Sequence, residues 1–224
     1  MKRTKLKDRL LPTYTRGEEL ANTISHIVGG AFGIIALISC VLVAALGGDA
    51  WAVVGSSIYG GSMILLYTVS SVYHGLTHPT AKKVMQVIDH CTIYLLIGGT
   101  YTPILLTAIR PVSPGWAWTI FGIVWGLAVM AATFTAIDLK KYSKLSMICY
   151  IGMGWCIVIA ADIAIAAIPL PGLLWLLGGG IAYSVGAILY GLGKKRRYMH
   201  SAFHLFTLVG SILQYVCIFF YVLP

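Results

Sequence analysis

The chain has 224 residues, 58% of them hydrophobic and 10% charged, with a mean hydropathy of +0.86, and so little polar surface cannot cover a water-soluble globule. A membrane helix takes about 20 apolar residues, so seven crossings use about 140 and leave about 84 for loops and ends, which excludes large extramembrane domains. The net charge of +9 has its natural place beside membrane spans rather than on a basic soluble patch, which removes nucleic acid as a partner and leaves membrane lipid as the environment.

In chain order, Lys2, Arg3, Lys5, Lys7, Arg9 and Arg16 form a basic tail. The first apolar stretch then runs from about Leu20 to Leu46, far longer than the core of a cleavable signal peptide, and is expected to stay as a helix. Further apolar runs cover Trp51 to Tyr73, Val84 to Ile109, Gly115 to Ile137, Leu145 to Ile168, Leu173 to Tyr190 and Met199 to Leu223. The predicted architecture is therefore an all-α integral membrane bundle of seven helices over residues 20–224, preceded by a tail over residues 1–19. Turn signals fall between the runs: Gly47-Gly48-Asp49, His78-Pro79, Pro111 with Pro114-Gly115, Pro169 with Pro171-Gly172, and a basic turn from Gly193 to Arg197.

Alternate loops differ sharply in charge. The tail, Lys82 and Lys83, Lys140, Lys141 and Lys144, and Lys194 to Arg197 together carry fifteen Lys and Arg, whereas the opposite loops carry only Arg110. Cytoplasmic loops retain positive charge, so the amino terminus is expected inside and the carboxyl terminus outside, inverted relative to G-protein-coupled receptors. Trp51, Trp116, Trp118 and Trp175 fall at the outer helix ends, as an interfacial aromatic belt requires. The five cysteines, Cys40, Cys91, Cys149, Cys156 and Cys217, all lie inside apolar stretches and read as small hydrophobes, without disulfide or thiolate-zinc spacing.

Ionisable groups inside spans are costly and mark candidate sites. Ser70 and His74 lie near the inner end of helix two, Asp89 and His90 near the inner start of helix three, and His200 and His204 at the inner start of helix seven. His200 and His204 are spaced i, i+4, so both rings leave one helix face and can converge on one ion. The pair alone would suit interhelical hydrogen bonding equally well. A third imidazole, His74, and a carboxylate, Asp89, at matching depth favour a metal site with a fourth tetrahedral position open, which is a catalytic rather than a closed arrangement. Asp89 is positioned to take a proton, and Ser70, one turn from His74, to orient a ligand or bind substrate.

His90 points about 100° away from Asp89 and reads as a packing or outer-sphere group, while His78 beside Pro79 reads as solvated. Glu19, Asn22 and His26 form a polar stripe on helix one at i, i+3 and i+7. That stripe has two readings, a cavity wall behind the metal or a packing ladder of hydrogen bonds. Pro103 interrupts helix three after Gly98-Gly99 and predicts a kink. The small residues there, with Gly29, Gly30, Gly33 and Gly178 to Gly180, either admit a lipid chain or pack helices closely. Asp162 reads as a local outer-side group and Asp138 as an inner helix end.

The motifs Glu19-x-x-Asn22-x-x-x-His26, Ser70-Ser71-Val72-Tyr73-His74, Ile88-Asp89-His90 and His200-Ser201-Ala202-Phe203-His204 together resemble the bacterial hemolysin III family. That family is related to the progestin and adipoQ receptors (PAQR) and, more widely, to alkaline ceramidases. The resemblance covers nearly the whole chain. It implies a zinc ion on His74, His200 and His204, with Asp89 and Ser70 in the same polar cluster, in a multi-pass protein of the bacterial plasma (inner) membrane. Receptor relatives carry an extended soluble amino-terminal region that this chain replaces with a short basic tail, so hormone reception is not implied.

Three functions compete. The first is a zinc-dependent hydrolase of a lipid amide or ester, with Asp89 and Ser70 in the catalytic machinery. The second is a non-catalytic membrane regulator whose zinc pins helices two and seven. The third is a cytolysin, as the hemolysin name suggests, although no helix has the charged face an aqueous pore needs. A retinal-type pump is excluded because the last helix has no lysine.

Overall fold

The computed structural model describes residues 3–192 and 196–223. Lys2, Gly193, Lys194 and Lys195, part of the charge pattern above, lie outside the described residues. The described residues form seven long apolar helices and no strand: α1 Arg16–Leu46, α2 Ala50–Gly75, α3 Pro79–Val112, α4 Pro114–Ile137, α5 Ser143–Ala167, α6 Leu170–Leu192 and α7 Met199–Val222. The chain is an all-α seven-span membrane protein. Large aliphatic side chains cover its outside, among them Ile35, Val129, Ile148, Ile165 and Leu205, as a lipid-facing surface demands.

Helix starts follow capping chemistry rather than hydropathy. α1 begins at Arg16, four residues before its apolar run, because Thr15 and Glu18 form a reciprocal capping box. α3 begins at Pro79, well before Val84, with proline in the first turn and exposed His78 accepting from the Ala81 amide at 3.4 Å. His78 is thus solvated and also a cap.

α3 does not stop at Pro103. The helix passes through it into a π turn over Ile104–Ile109, the kind of local adjustment that re-houses carbonyls a proline frees. The Thr102 hydroxyl donates to the Gly98 carbonyl at 2.7 Å and accepts from Trp125 Nε1. Gly98 and Gly99 pack closely, against Trp125 and Ser62 respectively.

α5 departs from the continuous helix expected over Leu145 to Ile168. It is α-helical over Ser143–Gly154, 3₁₀ over Cys156–Ala160 and α-helical again over Ala161–Ala167. The cause is Tyr101 of α3, whose hydroxyl donates to the Gly154 carbonyl at 2.9 Å and accepts from the Ile157 amide at 3.0 Å. A side chain inserted into the helical ladder breaks it. Trp155, at the break, donates from Nε1 to Ser184 Oγ on α6.

The bundle has two unlike ends. At one, Trp51 and Trp118 meet edge to face at 5.8 Å and Arg110 lies 4.8 Å over the Trp51 ring. At the other, the amino-terminal segment folds back across the helix ends: the Thr4 amide donates to Asp138 Oδ2, Arg3 Nε to the Ile137 carbonyl and Lys83 Nζ to the Lys7 carbonyl. Asp138 caps the end of α4, as expected, and Asp162 is exposed on α5. All five cysteines are free thiols. Four are buried, and half-buried Cys91 donates to the Ala132 carbonyl.

Candidate metal centre and adjoining cavity

At the amino-terminal end, α2 and α7 bring three imidazoles together. His200 Nε2 stands 3.3 Å from His74 Nε2 and 3.0 Å from His204 Nε2, and one ligand nitrogen from each of the three lies within 4.8 Å of the others. Nitrogens each about 2.0–2.1 Å from one tetrahedral ion stand about 3.3 Å apart, so the spacing suits a shared ion. Two of the three rings, on His200 and His204, also leave their Nδ1 atoms buried without a partner among the described residues. The arrangement could hold a metal ion.

The surroundings orient these rings. Glu19 Oε2 accepts from His74 Nδ1 at 2.7 Å, which leaves Nε2 facing the cluster; a carboxylate behind a ligand imidazole sets its tautomer and raises its basicity. The other Glu19 oxygen accepts from Lys82 Nζ at 2.7 Å, and Lys82 also donates to the His74 and Leu76 carbonyls at the end of α2. Asn22 Oδ1 accepts from Ser201 Oγ at 2.6 Å, and its amide nitrogen is 3.4 Å from His74 Nδ1.

His26 is buried and stacks on His204 with centroids 3.7 Å apart and planes 21° from parallel. Neither of its ring nitrogens has a partner among the described residues. The Glu19, Asn22 and His26 stripe thus packs around the histidines rather than forming a ladder along the helix.

Asp89 and Ser70 are buried and line one cavity with His26, His200 and His204. The Ser70 hydroxyl faces the Asp89 carboxylate. His90 stays near Asp89 despite its place on the helix: its Nδ1 stands 3.8 Å from Asp89 Oδ2 while donating to the Gln86 carbonyl, and its Nε2 accepts from the Tyr190 hydroxyl. It remains on the cavity wall.

That cavity, about 120 Å³, shares Thr100, Tyr101, Gly154, Trp155, Gly180 and Gln214 with a second of about 320 Å³. The second is lined by aliphatic side chains, and Val158, Ile165 and Leu177 on its wall are also exposed on the outside of the bundle. The first cavity thus lies against His200 and His204, and the adjoining second one lies against the lipid-facing surface between α5 and α6. Of the glycines given two readings above, Gly180 serves this cavity while Gly29 and Gly33 pack against α2.

Several site residues are not apparent from hydropathy. Tyr14 stacks on His200 with centroids 5.0 Å apart and planes 20° from parallel, and lies 5.8 Å from His74, covering the cluster from the tail side. Glu18 accepts from the Tyr198 amide at 2.7 Å, tying the start of α1 to the turn before α7; the Thr15-x-x-Glu18 pattern was its signal. Tyr101 and Gln214 carry no local signal, since their partners lie far away in sequence.

Comparison with known proteins agrees in extent and kind. Residues 14–215 match the family described as "Haemolysin-III related". The chain is 43% identical over 208 residues to the protein named Hemolysin-3 of Bacillus cereus, covering 92% of this chain and 93% of that one. It is 40% identical to a Hemolysin-3 homolog of Bacillus subtilis, covering 93% and 96%. More distantly, it is 25% identical to the human monocyte to macrophage differentiation factor, covering 91% and 84%. No solved structure matches the chain significantly. With the family match spanning nearly every helix and both bacterial relatives aligned end to end, the chain belongs to the haemolysin-III-related family of membrane proteins.

Proposed function

We propose that this protein is a zinc-dependent hydrolase of a lipid amide or ester in the bacterial plasma membrane, with its amino terminus and reaction site on the cytoplasmic side. The observation that carries the reading is a pair of adjoining apolar cavities, the first lined by Asp89, Ser70, His200 and His204 and the second walled by aliphatic side chains at the lipid-facing surface. A site built only to staple helices together has no need of such a space.

His74, His200 and His204 would hold the ion, an all-imidazole set that suits zinc. A zinc ion held there supplies Lewis acidity, which makes water a nucleophile near neutral pH. The protein's own residues do the rest. Asp89 takes the proton from the attacking water as its oxygen bonds to the lipid carbonyl, then returns it to the nitrogen or oxygen that leaves when the bond to the acyl carbon breaks. Ser70 holds Asp89 and the substrate oxygen in register. Glu19 keeps the His74 tautomer, and the aliphatic walls hold the acyl chain and exclude bulk water.

Asp89→Asn keeps the size and a hydrogen bond but removes the base. The variant should insert, retain its metal and lose about 10²- to 10⁴-fold in release of fatty acid from a lipid amide. Turnover equal to wild type, or a wild type that releases fatty acid from no lipid amide or ester, would replace this reading with the structural-zinc regulator. The orientation is checked separately: a carboxy-terminal reporter active only in the cytoplasm should be silent.

A further inference from the structure

The junction between the two cavities carries an unused polar group. Of the polar side chains there, the Thr100 hydroxyl donates to the Leu96 carbonyl, the Tyr101 hydroxyl is engaged by Gly154 and Ile157, and Trp155 Nε1 donates to Ser184. Gln214 Oε1 is buried and has no partner among the described residues. A buried carboxamide oxygen without a donor is costly, and the wall around it is aliphatic: Ile104, Ile157, Leu173 and Leu176 line the larger cavity beside it.

Gln214 is ten residues beyond His204 on α7. At 1.5 Å per residue it lies about 15 Å deeper along the helix, about the thickness of one leaflet of the hydrocarbon core. An acyl chain with its head at the histidines therefore meets Gln214 in its far half.

We propose that Gln214 is a specificity residue that selects acyl chains bearing a hydroxyl in the distal half of the chain. A hydroxyl both donates and accepts, so it satisfies the carboxamide in either orientation, and it leaves the rest of the chain apolar for the aliphatic walls. A plain chain leaves the oxygen unpaired. A hydroxyl near the head is too far away to help. The inference rests on the cavity holding an acyl chain, as in the proposed function, but not on turnover.

The test is displacement of tritiated stearate from the purified full chain in detergent by unlabelled stearate, 12-hydroxystearate and 3-hydroxystearate. A net hydrogen bond predicts that wild type binds 12-hydroxystearate about twofold to tenfold more tightly than stearate. Gln214→Leu should abolish that preference and leave the ratio of 3-hydroxystearate to stearate unchanged. Equal affinity of wild type for stearate and 12-hydroxystearate overturns the assignment, and so does a preference that survives in Gln214→Leu. The wild-type comparison decides the matter even where the variant fails to fold. If no unlabelled chain displaces the probe, the acyl-chain reading of the cavity falls with it. Selective binding without any hydrolysis would sink the hydrolase reading alone.

Discussion

The contact of α1 with α2 and the contact of α5 with α6 are built on opposite plans. Between α1 and α2 the helices approach until glycine is the largest residue that fits: a Cβ on Gly60 would stand 2.6 Å from the Leu37 Cα, and one on Gly29 would run into the Tyr67 ring. Between α5 and α6 a broken helix and Gly180 face a cavity, and a Cβ on Gly180 would find only the Trp155 ring, at 3.7 Å. Membrane helices gain nothing from hiding apolar surface and are held by packing and hydrogen bonds. A gap is therefore cheap if lipid can fill it, and it falls on the side away from the tightly packed α1–α2 pair. The close side holds Glu19, Asn22 and His26 against the three histidines, while the open side faces lipid.

The largest effect expected from breaking this arrangement is at the ligands. His200→Ala removes the nitrogen that stands near both other ligands, and elemental analysis of the purified variant should show near-complete loss of about one bound metal per chain. Full retention would dissolve the three-histidine assignment. Next come the two helix contacts. Gly60→Leu must push the α1 backbone aside and should cost about 1–3 kcal/mol, seen as a lower Tm or failed insertion. Gly180→Ala should leave Tm within about a degree or two while shrinking the cavity, and so weaken stearate binding rather than stability. If the two substitutions destabilise equally, the contrast between the contacts is wrong.

A comparable effect is expected at the break in α5. Tyr101→Phe keeps the ring and deletes the hydroxyl that serves Gly154 and Ile157. Leaving both backbone groups without that partner should cost about 1–3 kcal/mol, and amide exchange at Ile157 should rise more than at Ala117 or Ile120 of α4. Unchanged exchange at Ile157 would mean that the break is intrinsic to the α5 sequence.

What could be read from the sequence follows from the range of the interactions involved. The histidines were legible because i, i+4 spacing is a local rule and because three imidazoles and a carboxylate at one depth are rare in apolar spans. The seven spans and the tryptophan end came from composition summed over whole segments. The start of α1 was placed four residues late by hydropathy, and Thr15-x-x-Glu18 was the local signal that would have corrected it. The break in α5 was not, because its cause is a tyrosine 53 residues away. For the same reason Tyr14 on His200, Gln214 in the cavity and the choice between cavity wall and ladder for His26 needed coordinates. Nothing local to those residues distinguishes a ring facing a ligand from one facing lipid.

The smallest effect expected concerns the tail, and it separates the covered end of the site from its lipid side. Asp138, outside the spans, accepts from the Thr4 amide at 2.8 Å and the Lys141 amide at 3.1 Å. The Thr4 amide first, then Lys141 and the nearby Arg9 charge, hold its carboxyl down from 3.8 to about 2. A depressed acid stabilises the docked tail fully above the carboxyl's ordinary pKa, and that contribution is lost as pH falls from about 4 through about 2. At neutral pH the tail should therefore stay docked in wild type. In Asp138→Asn the loss of a charge-assisted contact should raise the rate of tryptic cleavage at Lys7 and Arg9 by about tenfold. Cleavage at the wild-type rate would show that Arg3 and Lys83 hold the tail without Asp138. Because Tyr14 lies over His200, loosening the tail should also speed removal of metal by an aqueous chelator while leaving stearate binding through the α5–α6 gap unchanged. Faster cleavage with unchanged chelation would mean that Tyr14 stays seated on its histidine when the segment before it is free, and that the cover over the cluster is the ring rather than the tail.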